Sequence, residues 1–121
     1  MIGVFVRKPY ARKIVSGEKT YETRTRNTLQ KVLDERIAIV ETGNGKPMVV
    51  GYTILTEHGY CAAEDFDDWM RLICCIPKGS KYDCHGKGKW LYTVIKPEET
   101  APYPLSPNAI RHGRVWCEFD V

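Results

Sequence analysis

The sequence predicts an α+β fold: a small mixed or antiparallel β-barrel of about six strands with two flanking helices, forming one domain over residues 1–121. Three observations point there. Windows of period-two alternation rich in β-branched and aromatic residues recur along the whole chain and are separated by Gly, Pro and Asn punctuation. Two windows instead carry apolar residues at helical spacing. At 121 residues the chain suits one domain, which buries about two-thirds of its unfolded surface. Its 43% apolar and 27% charged content excludes a disordered or fibrous class.

Residues 2–6, Ile-Gly-Val-Phe-Val, read as a first strand buried on both faces. Pro9 stands at the first position of a short helix and Gly17 where a helix needs a left-handed end. Between them Tyr10, Ala11, Ile14 and Val15 make one apolar stripe, with Arg12 and Lys13 pointing elsewhere. After Gly17 the period becomes two, so residues 19–26 read as a strand with Thr20, Glu22, Arg24 and Arg26 on one face. Tyr21, Thr23 and Thr25 take the other face with Lys19, whose closeness to the Gly17 bend leaves its direction open.

Residues 34–41 and 48–56 read as two strands paired as a hairpin through Gly43-Asn44-Gly45, residue types that tolerate positive φ. Over 62–76 the period is helical: Phe66, Trp69, Met70, Ile73 and Cys74 form a stripe on which Trp69 is expected to pack. Glu64, Asp65, Asp67 and Asp68 fill the first turn, where the helix dipole favours negative charge, and Pro77 and Gly79 end it. Residues 78–89 are a Gly-rich loop with four lysines and one acid, residues 90–95 a strand, 97–107 a Pro-rich extended connection and 115–121 a closing strand.

The charge is polarised. Residues 7–31 carry eight Lys or Arg against two acids, a net of +6, while the rest of the chain is at −3. An anionic ligand is therefore expected at the N-terminal segment. The apolar run over residues 1–6 is too short for a signal-peptide core or a membrane span, so no membrane partner and a cytoplasmic location are expected. Five cysteines, an odd number without a Cys-x-x-Cys pair, argue against a disulfide scaffold. Cys84-His85 and the His58 to Cys61 spacing lack the second paired motif of a structural zinc site, so no metal and no cofactor are expected.

The run Pro9-Tyr10-Ala11 followed by Gly17-x-Lys19-Thr20-x-Glu22-x-Arg24 resembles the signature of the ASCH domain. Within that family the pattern is similar to the endothelial-overexpressed, lipopolysaccharide-associated-factor type. The resemblance covers about a fifth of the chain. It implies a small barrel similar to PUA and EVE domains.

Glu22 and Arg24 are about 7 Å apart along one strand face, close enough to pair. Such a pair is either a structural clip or a carboxylate that aims the guanidinium fork at a phosphate, a carboxylate or a base edge. The binding residues expected on this reading are Lys8, Tyr10, Lys19, Tyr21, Glu22, Arg24 and Arg26, and the partner RNA or a nucleotide-like ligand, with the oligomeric state open. Tyr10, Tyr21, Trp90, Tyr92 and Trp116 are candidate stacking residues, Tyr21 foremost.

The alternative is a small hydrolase acting on RNA or on acylated nucleosides, with Lys19, Thr20 and Glu22 as catalytic candidates. ASCH-like amidohydrolases imply a Lys-Thr-x-Thr-x-Arg run and a distant acid. Here Glu22 replaces the nucleophilic Thr, and Glu57 or Glu64 stands for the acid. A ribonuclease chemistry would pair Lys19 with Tyr10 or Tyr21 for proton transfer.

Overall fold

The computed structural model describes residues 1–43 and 45–121. Seven strands and two short helices follow in the order β1 (Ile2–Arg7), α1 (Tyr10–Val15), β2 (Tyr21–Arg24), β3 (Arg36–Thr42), β4 (Met48–Cys61), α2 (Asp68–Ile73), β5 (Lys89–Pro104), β6 (Ile110–His112) and β7 (Trp116–Glu118). All seven strands form one mixed sheet in the order β2-β5-β4-β3-β1-β7-β6. Among the described residues only β1 and β3 run parallel, Gly3 facing Ala38 and Arg7 facing Thr42. A parallel pair needs a crossover, and α1 with β2 supplies it.

Alternation builds the core. On β1, Val4 and Val6 face α1 and join Ala11, Ile14, Val15, Ile37, Ile39 and Leu55, while Phe5 turns to the opposite face with Ala38, Val40, Val49 and Phe119. The first strand is thus buried on both faces, as its composition predicts. A third cluster, Phe66, Cys74, Ile76, Cys84 and Leu91, lies under the α2 region.

The sheet curls without closing. Arg24 on the edge strand β2 donates to the Phe5 carbonyl on β1 at 3.0 Å, although four strand spacings separate them in the sheet order. On a flat sheet those spacings amount to about 19 Å, beyond the reach of a side chain. The concave side is therefore folded over on itself. Among the described residues no ladder joins β2 to β6, so an open curled sheet of seven strands replaces the expected closed barrel of six.

The additional strand is β6, and two strands are longer than expected. The Pro-rich stretch continues β5 beyond a bend at Lys96 (φ +47) and pairs with β4 as far as Pro104 opposite Met48. Proline is tolerated because β2 covers only Trp90 to Thr93, leaving the far half of β5 an edge whose outer N–H groups need no partner. The helix expected over 62–76 is also shorter. The Asp67 carboxylate accepts from the Met70 amide at 2.9 Å and starts α2 at Asp68, so the acidic run divides between a 3-10 turn, Ala63–Asp65, and this cap. Phe66 is buried ahead of the helix, and Trp69, expected to pack, is 65% exposed beside Leu72 at 68%. The turn at Gly43 and Gly45 has positive φ at both glycines, and Asn44 lies outside the described residues.

Candidate functional site

The basic segment is shaped by a helix too short to do more than redirect the chain. Pro9 takes the N-cap of α1 rather than its first helical position, following a cis Lys8-Pro9 bond. Gly17 (φ +85) ends the helix, and the Lys19 amide returns to the Lys13 carbonyl at 2.9 Å. This bend, lying before the strand begins at Tyr21, settles the direction of Lys19. Its side chain turns inward, 1% exposed, donates to the Cys74 carbonyl, and lies 3.8 Å from Glu22 Oε1 and 5.3 Å from the centre of the Tyr10 ring.

Glu22 is the hub of the floor. It accepts from the Thr23 amide at 3.0 Å and from Arg24 Nη2 at 3.1 Å. Arg24 Nη2 also makes the bond to Phe5, so one nitrogen carries both anchoring contacts while Nη1 and Nε have no partner among the described residues. A guanidinium fixed by one edge keeps its other donors for a ligand.

These residues open into a cavity of about 650 Å³, within the range of small-ligand sites. Phe5, Tyr10, Ile76 and Tyr82 provide apolar walls, with the Tyr10 and Tyr82 rings edge to face at 5.3 Å. Burial, helped by neighbouring acidic groups, pushes the Tyr10 phenol above its usual range. Six cations border the cavity, Arg7, Lys19, Arg24, Lys89, Arg111 and Arg114, against the single carboxylate of Glu22. Burial lowers the pKa of Lys89, which donates to Thr25 Oγ1 at 3.4 Å.

The loop bearing Tyr82 is held rather than free. Asp83 accepts from the amides of Gly79 and Cys84, both at 2.8 Å, and from Arg71 Nε at 3.0 Å. The Gly79 amide leads in lowering its carboxyl to about 2 from 3.8, with Cys84 and Arg71 adding to it against burial. Because the folded pKa is the lower one, the stabilisation is complete above the unfolded value and is lost as pH falls through about 2. Asp83→Asn should therefore be less stable than wild type by about 2 kcal/mol at neutral pH. Melting curves recorded between pH 6 and pH 2 should show that gap closing toward the acid end; a gap constant with pH would contradict the assignment.

Of the residues singled out from the sequence, Tyr10, Lys19, Glu22 and Arg24 border the cavity, and Lys8, Thr20, Tyr21 and Arg26 do not. Thr20 is exposed and donates to the Ile73 carbonyl at 3.3 Å. Tyr21 lies on the other strand face, its ring edge-on to His58 at 4.9 Å. Lys8 and Arg26 are exposed, and β2 ends at Arg24, before alternation could carry Arg26 inward. Neither Glu57, which accepts from Gln30 at 2.6 Å, nor Glu64 reaches the cavity.

Tyr92 is fully buried and donates its hydroxyl to Asn27 Oδ1 at 2.6 Å, which removes it as a stacking platform. Trp90 packs against Tyr60 and Trp116 against His112. Four further cations join the cavity without being singled out by the sequence: Arg7 from the basic segment, Lys89 from the Lys-rich loop, and Arg111 and Arg114. The signal for the last two is a turn glycine flanked by cations, Arg111-His112-Gly113-Arg114, just before the closing strand.

Among the described residues no group of three or more His, Cys, Asp or Glu is placed to hold a metal ion, and no helix is long and apolar enough to cross a membrane. All five cysteines are free.

Comparison with known proteins is consistent with this architecture. The family model described as the ASCH domain matches residues 4–101. The crystal structure of ASCH from Zymomonas mobilis superposes with a TM-score of 0.70 at 22% identity, covering 86% of this chain and 73% of that one. A Tyr-to-Phe variant of the Zymomonas protein gives 0.67 at 24% identity, covering 86% and 75%. A Ser-to-Ala variant gives 0.65 at 23%, covering 85% and 72%. At these identities the likeness is one of fold. A search of curated proteins found no match.

Proposed function

The chain belongs to the ASCH domain family, and on that premise we propose that it binds single-stranded RNA, or one nucleotide of it, in the cleft floored by Lys19, Glu22 and Arg24. The family's general association with RNA binding supports this reading, and so does the charge of the cavity. The observation that carries it is Arg24, clamped by Glu22 and the Phe5 carbonyl while its remaining donors stay unpartnered. A guanidinium prepared in this way loses little freedom on meeting an anion or a base edge. The spacing from Pro9-Tyr10-Ala11 to Glu22-Thr23-Arg24 supports placement near the endothelial-overexpressed type within the family. Five free thiols support a reducing compartment such as the cytoplasm.

Fluorescence anisotropy with a labelled single-stranded RNA tests the proposal. Binding should weaken steeply between about 50 and 200 mM salt, and Arg24→Ala should weaken it about tenfold or more. No binding at the low-salt end, or equal binding by the variant, defeats the proposal.

One observation favours a small hydrolase as a second reading: the Lys19 ammonium, the Glu22 carboxylate and the Tyr10 ring meet in the floor. The position of Thr20 outside the cavity weighs against it. Incubating RNA and acylated cytidine with wild type and with Lys19→Ala separates the two, since a binding module returns both substrates intact.

A further inference from the structure

We infer that the β6–β7 hairpin forms a phosphate-holding rim on this cleft, so that a nucleotide enters base first. Its phosphate stays outside against Arg7, Arg111 and Arg114. This rests on the nucleotide-binding reading and adds an orientation to it, with two of the three rim residues lying beyond the residues 4–101 that the family model matches.

The division of charge between floor and rim carries the argument. Two of the buried or half-buried cations already have a counter-charge, Lys19 at 3.8 Å from Glu22 and Arg24 at 3.1 Å from the same carboxylate, while the third, Lys89, is buried against Thr25 Oγ1 at 3.4 Å. A phosphate pushed down beside the buried Glu22 would meet a like charge where solvent screens it poorly. The floor instead offers acceptor oxygens on Glu22 beside unpartnered donors on Arg24, the mixed pattern that a base edge matches. The rim offers donors alone. Arg7, Arg111 and Arg114 are exposed, and among the described residues none makes a side-chain hydrogen bond or ion pair with an acid. Guanidinium forks without a carboxylate partner suit phosphate oxygens.

The hairpin that carries Arg111 and Arg114 is itself held in place. His112 stacks on Trp116 at 3.9 Å with rings 13° apart, and its Nε2 is 2.8 Å from Glu118. The Phe5 amide donates to the Val115 carbonyl at 3.0 Å, which ties the turn to β1. Gly113 adopts φ +62 at the tip, a conformation costly for other residues. Arg111 lies over the Phe5 ring at 5.1 Å, on the same residue whose carbonyl anchors Arg24. Floor and rim are thus referenced to one position of β1, so the backbone that carries the rim needs little ordering on binding.

The test compares wild type, the Arg111→Ala/Arg114→Ala double variant and the corresponding double Lys variant. Each is titrated with the four common ribonucleosides, their 5′-monophosphates and a single-stranded oligoribonucleotide. Wild type should prefer a monophosphate over its nucleoside by about tenfold at low salt. In the double Ala variant that ratio should fall toward one, and the salt slope for the oligonucleotide should become shallower by roughly one unit. The double Lys variant should keep the charge and lie between. Both arginines are exposed, so melting temperatures should match within about 2 °C. A double Ala variant that keeps the monophosphate preference and the wild-type slope overturns the rim while leaving nucleotide binding standing. Failure of wild type to bind nucleosides, monophosphates and RNA alike defeats the functional reading and the rim with it.

Discussion

Glu22→Ala is expected to lower folding stability by about 3 kcal/mol and the melting temperature by roughly 10 °C. The side chain is 5% exposed and serves three neighbours: the Thr23 amide, Arg24 and Lys19. Arg24 is partly open to solvent and can recover hydration, but Lys19 cannot, being 1% exposed with only the Cys74 carbonyl and the Tyr10 ring left to it. The loss thus comes mainly from stranding a buried ammonium. Lys89 adds to it, because the Glu22 charge is among those that support its charged form against burial. Combining Glu22→Ala with Lys19→Met removes the stranded charge while keeping much of the side-chain volume, and should recover about half of the loss. Thermal melts of wild type, the two singles and the double close the cycle. A Glu22→Ala protein melting like wild type, or a double no more stable than that single, would show that the floor is not held by this carboxylate.

Sequence and structure agree where local chemistry decides the outcome and part where distant packing does. The strands β1 and β3 and the first part of β4 are legible because β-branched and aromatic residues are concentrated in them, and α1 because Pro9 and Gly17 bracket one apolar stripe. The pairing of Glu22 with Arg24 follows from strand rise alone. Lys19 was ambiguous because a bend precedes the strand, where no period governs the side chain. Trp69 misled because the helical spacing counted Phe66 as part of a helix that the Asp67 cap begins two residues later. The strand through Pro97, Pro102 and Pro104 requires knowing that β2 stops short of it. Arg111 and Arg114 reach the cleft because β7 pairs with β1, from Ile2 opposite Glu118 up to the Phe5 to Val115 bond, a pairing between opposite ends of the chain that no local pattern encodes.

The same dependence on close approach makes Gly51→Ala the second large effect, although its backbone conformation is one that alanine can adopt. A Cβ there would stand 2.2 Å from the Glu98 carbonyl oxygen and 2.7 and 2.8 Å from Val15 Cγ1 and Cβ. The Glu98 oxygen is backbone, at a point where the register between β4 and β5 shifts around Gly51, so β5 must move. Val15 belongs to α1, so the helix must lift as well. A loss of about 3 kcal/mol, the upper end of overpacking costs, is expected in denaturant or thermal melts. Adding Val15→Ala makes room on the helix side but not on the strand side. The double should therefore regain about 1 kcal/mol relative to additivity and no more. RNA affinity should fall with stability, because α1 begins at Tyr10 and runs into the Gly17 bend that turns Lys19 inward, so lifting the helix shifts the cleft's aromatic wall and its buried cation together. A Gly51→Ala protein with wild-type melting would mean that β4, β5 and α1 can separate at this point without strain, and the positioning of Lys19 would then have to come from the Cys74 and Glu22 contacts alone.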